Sequence, residues 1–367
     1  MRITLKECAW ETVGDELVVV FDPREAITLD DPRGMVAALL GELTRTPQTA
    51  AELSLALKGQ GFEVSEADVA TGLQGLDQLG LVEAAEERGL GDAAADERHF
   101  STLTFFGSYA DLGRSRAEYM RRLRRSHVLV LGVGGGGSSV VQCLAGLGVG
   151  EMTLLDSDVV ESRNFARQFL YRNEDLGRSK VERAAEWVRQ YDPAITARPV
   201  ERRVSAPDDL TDLLEGVDIV VGGLDGDPDA NLWINEAAVS RGVPYVLGGA
   251  SRTTLVYSSV DPGRSPCLAC DQTDVPDHEE ESVAGATTRL AVRHRPSNPL
   301  IAPIAMQVGS LIAYEALRYL TGFEPPRAAG RRVVLDLRTG LTAEWHPFTE
   351  NPDCPVCVRA PRRVSAP

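Results

Sequence analysis

At 367 residues, the chain is long enough for one large domain and a smaller one, and its 43% hydrophobic and 25% charged residues are typical of soluble globular proteins. A net charge of −16 makes nucleic-acid binding a poor hypothesis, because a phosphate backbone needs a basic footprint. No apolar run approaches the ~20 residues of a membrane span, and the N-terminus lacks the apolar region of a signal peptide. We therefore expect a cytoplasmic protein with reduced cysteines and no membrane partner.

The first 84 residues have the pattern of a small separate domain. Short strands are predicted between residues 3 and 30, and apolar-periodic helices follow from residues 35 and 49. A capping box at Ser65 begins a third helix, and a strand at 80–83 closes the pattern. Strands, three helices and a terminal strand predict a winged-helix-like domain.

This front part of the chain is acidic. Residues 1–98 carry 8 basic and 20 acidic side chains, whereas the rest of the chain is nearly neutral. The imbalance speaks against DNA as the partner of the winged helix and favours a basic one. The alternative interpretation is an acidic surface that simply keeps the protein soluble.

The larger part of the chain has the pattern of an α/β domain. Residues 85–97 are predicted to form a linker, 98–360 the large domain and 361–367 a tail, and a basic helix at 114–125 leads into the large domain. Apolar strands then alternate with helices. The strands are predicted at 127–131, 152–155, 197–200, 218–221 and 244–247, and the helices at 140–147, 181–189, 210–214 and 230–240. The fold class is therefore α/β, a doubly wound Rossmann-like sheet that binds ligands at the carboxyl ends of its strands.

A glycine-rich turn joins the first of these strands to its helix. Its glycines are Gly132, Gly134, Gly135, Gly136 and Gly137. Glycines permit a tight turn there, and the amides of a helix N-terminus can meet phosphate. Asp156 follows the last glycine by 19 residues and ends the next strand. A carboxylate at this position of a nucleotide-binding fold accepts hydrogen bonds from the ribose hydroxyls. The glycines alone would also suit a structural turn, but the flanking strand and helix together with Asp156 favour a nucleotide site. A nicotinamide dehydrogenase would fit this full pattern equally well.

The stretch after Asp156 contains cations that a dehydrogenase does not need. Arg167 and Lys180 are placed to converge on the phosphates, where they would offset charge on the phosphoryl oxygens and on departing pyrophosphate. Asp225, which follows the strand at 218–221, is a candidate ligand for Mg²⁺ that bridges the phosphates. This pattern predicts an enzyme that promotes attack on the α-phosphate of ATP.

The motifs GxGGxG, D, NxxRQ, LGxxK and D, in this order, resemble the ubiquitin-activating-like adenylating family, the ThiF/MoeB proteins, from about residue 98 to 357. The resemblance implies that the enzyme makes an acyl-adenylate from ATP and a carboxylate, with Mg²⁺ and with Arg167, Lys180 and Asp225 as catalytic residues. The nucleotide-binding residues that it implies are Gly132, Gly134, Gly135, Gly136, Gly137, Asp156, Asp158, Asn164, Arg167, Gln168, Lys180, Leu224 and Asp225. Two structural alternatives stay open: Asn164 as a helix cap, and 175–180 as only a helix start.

Four of the six cysteines form two CxxC pairs, Cys267 with Cys270 and Cys354 with Cys357. In a reducing compartment, four thiolates in this arrangement predict a closed tetrahedral Zn²⁺ site with no catalytic role. The resembled family carries the same pairs as a structural zinc. A redox CxxC or unrelated buried thiols are the alternatives.

The segment between residues 271 and 299 contains no cysteine. Family members that pass their product to a thioester usually keep a cysteine there, so its absence argues for direct attack on the adenylate. Arg289, Arg293 and Arg295 in this polar stretch are candidate peptide contacts, or else parts of a solvated loop. The apolar helix predicted between 299 and 320 resembles the family's dimer helix, and we therefore expect a homodimer.

One position departs from the family pattern. Ser101 stands where members commonly carry an arginine that reaches the nucleotide of the partner subunit. Either Arg98 or an arginine of the helix at 114–125 substitutes for it, or phosphate binding is weaker than usual.

The front module resembles the peptide-recognition (PqqD-like) winged helix of ribosomal peptide modification. Such modules add a leader peptide as an extra strand on a sheet edge. We therefore expect the chain to adenylate a carboxylate of a precursor peptide held by its leader, after which a nucleophile displaces AMP, with or without a second modifying enzyme. Three alternatives stay open: a ubiquitin-like sulfur-carrier substrate, a non-catalytic docking partner of another enzyme, and an NAD-dependent dehydrogenase.

Overall fold

The structure, a computed structural model, describes residues 1–22, 25–85, 88–224, 227–271 and 299–361. Its contacts divide the chain into two compact units, Met1–Arg121 and Arg122–Pro367. The linker predicted at 85–97 lies within the first unit. No helix in the described ranges combines the length and the apolar character that crossing a lipid bilayer requires.

The first unit contains two small sheets and several helices. Its strands are β1 (Ile3–Leu5), β2 (Ala9–Val13), β3 (Glu16–Asp22), β4 (Glu25–Asp30) and β5 (Val82–Ala84). Its helices are α1 (Met35–Arg45), α2 (Ala50–Gly59), α3 (Glu66–Gln78), α4 (Ala93–Arg98) and α5 (Phe100–Gly107), and α6 (Arg116–Arg125) begins in it. The strands β2, β3 and β4 form an antiparallel sheet, and β1 pairs antiparallel with β5. The strands and helices predicted between residues 3 and 83 are present, and the winged-helix assignment stays a prediction.

Side-chain caps fix where α2 and α3 begin. The Thr49 hydroxyl accepts from the Glu52 amide at 3.3 Å, and the Glu52 carboxylate accepts from the Thr49 amide at 2.9 Å. Ser65 and Asp68 form the same capping box, which confirms the predicted start of α3. Each cap is worth about 1 kcal/mol. Behind the caps, one apolar cluster forms the core of the unit; its fully buried leucines include Leu17, Leu40, Leu53, Leu57 and Leu81.

The predicted linker contains a helix that the sequence analysis did not predict. Asp92 caps α4 by accepting from the Ala94 amide at 3.0 Å. The alanines at 93–95 have the highest helix propensity, so the segment needs little apolar surface to become helical.

The second unit is an α/β domain with an eight-stranded mixed sheet. Its strands are β6 (His127–Leu131), β7 (Glu151–Asp156), β8 (Thr196–Glu201), β9 (Ile219–Gly222), β10 (Tyr245–Ser251), β11 (Thr254–Val260), β12 (Arg331–Asp336) and β13 (Thr342–Pro347). Its helices are α7 (Gly135–Leu147), α8 (Lys180–Tyr191), α9 (Asp208–Thr211), α10 (Ala230–Arg241) and α11 (Ala302–Thr321). The strand order is β13-β12-β11-β10-β9-β6-β7-β8. The five strands from β10 to β8 run parallel, and the other three pair antiparallel.

The parallel part of this sheet is the predicted Rossmann-like fold, and the antiparallel part is an addition. The strands β11, β12 and β13 were not predicted. The strand β13 is almost entirely exposed and carries no apolar run, and β11 and β12 carry only short ones. The predicted start of α7, residue 140, lies five residues after its observed start, Gly135. The glycines from Gly135 onwards form the first turn of that helix, and their low helix propensity concealed it.

The register of the parallel strands brings their carboxyl ends together. Leu131 at the end of β6 is paired with Leu155 of β7 and with Gly222 of β9. The helix α11 packs against α7 at Gly309, where a Cβ atom would lie 2.5 Å from the Cβ of Ser139. Because the two helices approach so closely, the position of α7 over the sheet is fixed.

A buried carboxylate, Glu83, ties β5 to α6 within the first unit. Its side chain is 1% exposed, and Arg116 donates to it twice, at 2.9 and 2.6 Å. Arg88 adds a third contact at 2.9 Å. Lys6 lies nearby, where burial lowers the pKa of its ammonium although the charge of Glu83 opposes the shift.

We expect Glu83→Gln to lower the free energy of unfolding by roughly 3 kcal/mol, because it leaves the Arg116 guanidinium buried without an opposite charge. Urea denaturation of the full chain measures this. Glu118→Gln is the matched control, since Glu118 is 44% exposed and lies 3.8 Å from Arg114; it should cost less than about 1 kcal/mol. Equal losses in the two variants would contradict the structural role of Glu83.

Candidate active site

The glycine turn lies where three parallel strands end. The Gly132 amide donates to the Leu155 carbonyl at 2.7 Å, and the Gly223 amide donates to the Leu131 carbonyl at 3.0 Å. The turn after β6 is therefore bound to the ends of β7 and β9. This edge is where open α/β sheets bind their ligands.

Close backbone contacts explain why glycine is needed in this turn. Gly132 has a φ of +74°, and a Cβ atom on Gly137 would lie 1.8 Å from the Gly132 carbonyl oxygen. The remaining glycines of the turn, Gly134, Gly135 and Gly136, lie between these two. Because the backbone closes so tightly, α7 begins directly at the strand end. Its first amides face the edge of the sheet, an arrangement that suits phosphate.

Asp156 holds the turn from the end of β7. Its two carboxylate oxygens accept from the amides of Val133 and Asp158, each at 2.9 Å. Burial raises the pKa of Asp156, and the neighbouring Lys180 ammonium opposes that shift. The carboxylate therefore lies beside the glycine turn, where a ribose ligand was predicted.

The two predicted phosphate-binding cations differ in their present partners. The Lys180 ammonium donates to Asp158 at 2.7 Å, and its side chain is 6% exposed whereas that of Asp158 is 66% exposed. The Arg167 side chain lies against the turn, with its Cδ 3.2 Å from where a Cβ of Gly135 would be. In the described part of the chain, no carboxylate pairs with Arg167. A half-buried guanidinium beside a helix N-terminus is placed to take an anion.

The other two polar residues of the NxxRQ motif are buried. The side-chain oxygen of Asn164 accepts from the Glu161 amide at 2.8 Å and so caps a short 3-10 turn. This is the capping role that the sequence analysis left open as an alternative for Asn164. Gln168 is 2% exposed, and its Oε1 has no donor among the described residues. Its Nε2 lies 3.8 Å from where a Cβ of Gly134 would be. An unsatisfied buried amide oxygen costs about 1–3 kcal/mol, so a ligand or water that donates to it gains that energy.

The remaining predicted site residues fall into two groups. Leu224 packs against the apolar core beneath the sheet edge, and Ser101 is exposed on α5 in the first unit. Asp225, the predicted magnesium ligand, lies outside the described residues, as do Arg289, Arg293 and Arg295. The roles assigned to all these residues stay predictions.

Tyr171 is part of this site and was missed by the sequence analysis. Its hydroxyl donates to the Val133 carbonyl at 2.7 Å, and the Ser138 hydroxyl lies 3.0 Å from the same oxygen but closer to the Gly134 carbonyl oxygen. Since Asp156 holds the Val133 amide, both ends of this residue are anchored. Burial, together with the charge of Asp156, raises the pKa of Tyr171, so the hydroxyl stays a donor. The available signal was a tyrosine three residues after the NxxRQ motif.

The four predicted metal ligands come together in one cluster. Cys267 lies 3.8 Å from Cys354 and from Cys270, and Cys270 lies 3.3 Å from Cys357, between sulfur atoms. All four sulfurs lie within 4.8 Å of one another, and three of the cysteines are buried. Burial raises the pKa of the Cys267 thiol to about 11.

This cluster fits a structural zinc ion. Tetrahedral Zn–S bonds of about 2.3 Å place neighbouring sulfurs about 3.8 Å apart, which is close to the separations observed. Four sulfur ligands also leave no open position for substrate, so the ion would have no catalytic step. A divalent cation would supply the charge that stabilises buried thiolates.

A family model described as the ThiF family matches residues 108–356. The chain belongs to the ThiF family. The SAMP-activating enzyme E1 of Haloferax volcanii is 34% identical over 241 residues, which covers 64% of this chain and 82% of that protein. The sulfur carrier protein adenylyltransferase of Thermus thermophilus is 31% identical over 257 residues, covering 66% and 86%.

The fold extends over nearly the whole length of a solved structure. A crystal structure of Escherichia coli MccB with AMPCPP and MccA has a TM-score of 0.76 and 20% identity, and it covers 97% of this chain and 100% of that chain. At this identity, the likeness shows the fold. The α/β prediction and the ThiF/MoeB assignment are therefore confirmed.

The chain is an ATP-dependent adenylyltransferase. The dehydrogenase alternative is wrong, because the relatives that the chain matches are adenylyltransferases. The anchored glycine turn and the cations beside it are consistent with this activity.

We expect Tyr171→Phe to weaken the binding of Mg-ATP about tenfold, because the Val133 carbonyl loses the Tyr171 hydroxyl as its donor and the turn becomes less ordered. Titration calorimetry with Mg-ATP measures this. Tyr319→Phe is the matched control, since its hydroxyl donates to Ser259 at 3.1 Å, away from the turn. Unchanged affinity in Tyr171→Phe, or the same loss in both variants, would contradict the role of Tyr171.

Proposed function

We propose that the chain adenylates a carboxylate of a ribosomally made precursor peptide, and that a nucleophile then displaces AMP. The observation that carries the proposal is the extent of the likeness. The sulfur-carrier relative aligns with 66% of this chain, whereas the MccB structure covers 97% of it, including the front unit. Residues 1–107 lie outside the match to the ThiF-family model, and their inclusion in the fold shared with MccB supports a peptide as the substrate.

In the proposed reaction, the peptide carboxylate attacks the α-phosphorus of ATP, and the bond to pyrophosphate breaks. Arg167 and Lys180 offset the charge that builds up on the phosphoryl oxygens and on the departing pyrophosphate. Asp156 holds the ribose, and Asp225 is the candidate ligand for Mg²⁺. Positioning and charge therefore supply most of the catalysis.

The proposed second step is direct attack on the adenylate. The chain has six cysteines; four belong to the metal cluster, Cys8 lies in the front unit and Cys143 lies on α7. None occurs between residues 271 and 299, so no enzyme thioester is invoked. The incoming amine or amide nitrogen bonds to the carbonyl carbon and loses its proton. The bond between that carbon and the phosphate oxygen breaks, and AMP departs with the electron pair of this bond.

The proposed site for the leader of the peptide is a groove in the first unit. A cavity of about 250 Å³ lies between the end of β4, α1 and α3. Its lining is almost entirely apolar and includes Val36, Leu39 and Val69, and Asp30 and Asp68 also line it. The strand β4 is an edge of its sheet, so a leader can add to it as a further strand. The carboxylates of Asp30 and Asp68 favour a leader peptide in which basic residues lie next to the apolar residues that fill the groove.

The proposal includes a homodimer formed through α11. Met306 is 46% exposed and Tyr314 is 38% exposed on the outer face of this helix, which is otherwise rich in small and apolar residues. A twofold dimer buries the same surface patch on both copies, so the exposed apolar face of α11 from each copy would pack against the same face of the other.

A sulfur-carrier protein is the second candidate substrate. The sulfur carrier protein adenylyltransferase of Thermus thermophilus is 31% identical to this chain, well above the 20% of the MccB structure. ATP–pyrophosphate exchange with a candidate precursor peptide and with a ubiquitin-like carrier distinguishes the two. Exchange driven only by the carrier would overturn the peptide proposal.

We expect Arg167→Ala to lower peptide-dependent ATP–pyrophosphate exchange by a hundredfold or more, as the loss of one preorganised charge donor typically does. Arg163→Ala is the matched control. Arg163 lies four residues away in the same stretch, with its side chain 80% exposed and paired with Glu161. It should keep exchange close to the wild-type rate.

Two results would contradict the assigned role of Arg167. One is full exchange in Arg167→Ala; the other is an equal loss in Arg163→Ala. If the peptide product also forms unchanged with Arg167→Ala, the chain acts as a non-catalytic docking partner of another enzyme.

We expect Val36→Glu to weaken leader binding at least tenfold, because it buries a carboxylate in the apolar groove. Fluorescence anisotropy with a labelled leader peptide measures the dissociation constant. Leu55→Glu adds the same charge at a leucine that is 70% exposed on α2 and does not line the groove, so it should bind the leader normally. If both variants lose affinity equally, net charge and not the groove governs binding.

A further inference from the structure

A buried amide beside the cysteine cluster has no part in the adenylation chemistry described above. Asn235 lies on α10 and is fully buried. Its Oδ1 accepts twice, from the Tyr245 hydroxyl at 2.7 Å and from the Leu268 amide at 3.0 Å. Its Nδ2 has no hydrogen-bond partner among the described residues.

The orientation of this amide is fixed by its neighbours. A backbone N–H can only donate, so the Asn235 atom that faces the Leu268 amide must be the oxygen. Burial raises the pKa of Tyr245, so its hydroxyl also stays a donor to the same oxygen. The two N–H bonds of Asn235 therefore point away from both groups, and an unused buried donor costs about 1–3 kcal/mol.

The sulfur of Cys267 is an acceptor of suitable chemistry in the turn that fixes this amide. Leu268 follows Cys267 directly in the Cys267–Cys270 turn, so the amide that fixes Asn235 belongs to the metal-binding turn itself. A neutral thiol accepts weakly, whereas a metal-bound thiolate carries charge and accepts strongly.

We propose that Asn235 is a positioning residue for the zinc centre: its Nδ2 donates to the Cys267 thiolate of the metal-loaded protein and ties α10 to the Cys267–Cys270 turn. The helix α10 begins five residues after Asp225, the predicted magnesium ligand. The metal centre therefore holds the helix that follows Asp225 in the sequence, without taking part in any catalytic step.

The test uses the full chain loaded with Co²⁺ in place of Zn²⁺, and two variants of the same position. Asn235→Asp keeps the acceptor oxygen and replaces the donor, and Asn235→Leu removes the donor without adding charge. In both, we expect the sulfur-to-cobalt charge-transfer band to move to lower energy, because a thiolate without a hydrogen bond gives up its electrons more readily. We also expect the zinc form to release its metal to a chelator about 10–100-fold faster, as loss of an outer-shell partner does.

Two control variants separate the hydrogen bond from other effects. Asn231→Asp adds the same charge at an exposed position of α10, and Tyr245→Phe removes a buried hydroxyl but leaves Nδ2 in place. Both should keep the wild-type cobalt spectrum. Wild-type spectra and release rates in the Asn235 variants, or equal changes in the controls, would overturn the proposal.

If the Asn235 variants do not fold, hydrogen exchange of the wild-type chain with and without zinc supplies the test. Removal of zinc should expose the amides of α10 and of the Cys267–Cys270 turn together. Protection of α10 that persists after the metal is removed would overturn the proposal.

Discussion

The contact between Gly132 and Gly137 determines the geometry of the whole nucleotide edge. Their backbones approach so closely that a Cβ atom on Gly137 would lie 1.8 Å from the Gly132 carbonyl oxygen. Because of this approach, α7 begins at the end of β6 and directs its first amides towards the ligand edge. Two other contacts stabilise that arrangement. The Asp156 carboxylate accepts a hydrogen bond from the Val133 amide, and the missing side chain of Gly309 allows α11 to pack closely against α7.

The charges at this edge balance differently from those of the chain as a whole. The net charge is −16, yet at this edge Arg167 and Lys180 match the charges of Asp156 and Asp158, and the helix N-terminus adds the positive end of its dipole, so the edge is less acidic than the chain as a whole. Lys180 is held by Asp158, whose exposed carboxylate water solvates well. A phosphate in place of Asp158 would keep the buried Lys180 ammonium paired, so the exchange would leave no uncompensated buried charge. In the proposed complex, the buried part of Lys180 would stay in place and only the partner of its ammonium would change.

The sequence sufficed for features that depend on local patterns. The parallel strands, the capping box at Ser65 and the glycine turn follow from periodicity and from the backbone needs of short segments. The role of Tyr171 could not be predicted in this way, because it depends on a hydrogen bond to the Val133 carbonyl, 38 residues away in the sequence. The strands β11 to β13 escaped prediction for a similar reason. They join the sheet by pairing with neighbours, and an exposed edge strand such as β13 needs no apolar run.

The cysteine cluster shows how a long-range constraint reaches the nucleotide edge. The two CxxC pairs are separated by 83 residues, and their cysteines share one apolar cluster with Leu131 and Leu155, at the ends of β6 and β7. A close-packed cluster of this kind transmits displacement, because its side chains leave few voids to absorb it. The metal centre therefore contributes to the position of the strand ends on which the glycine turn and Asp156 stand. Spacing in the sequence predicts the ligands, but this coupling follows only from packing.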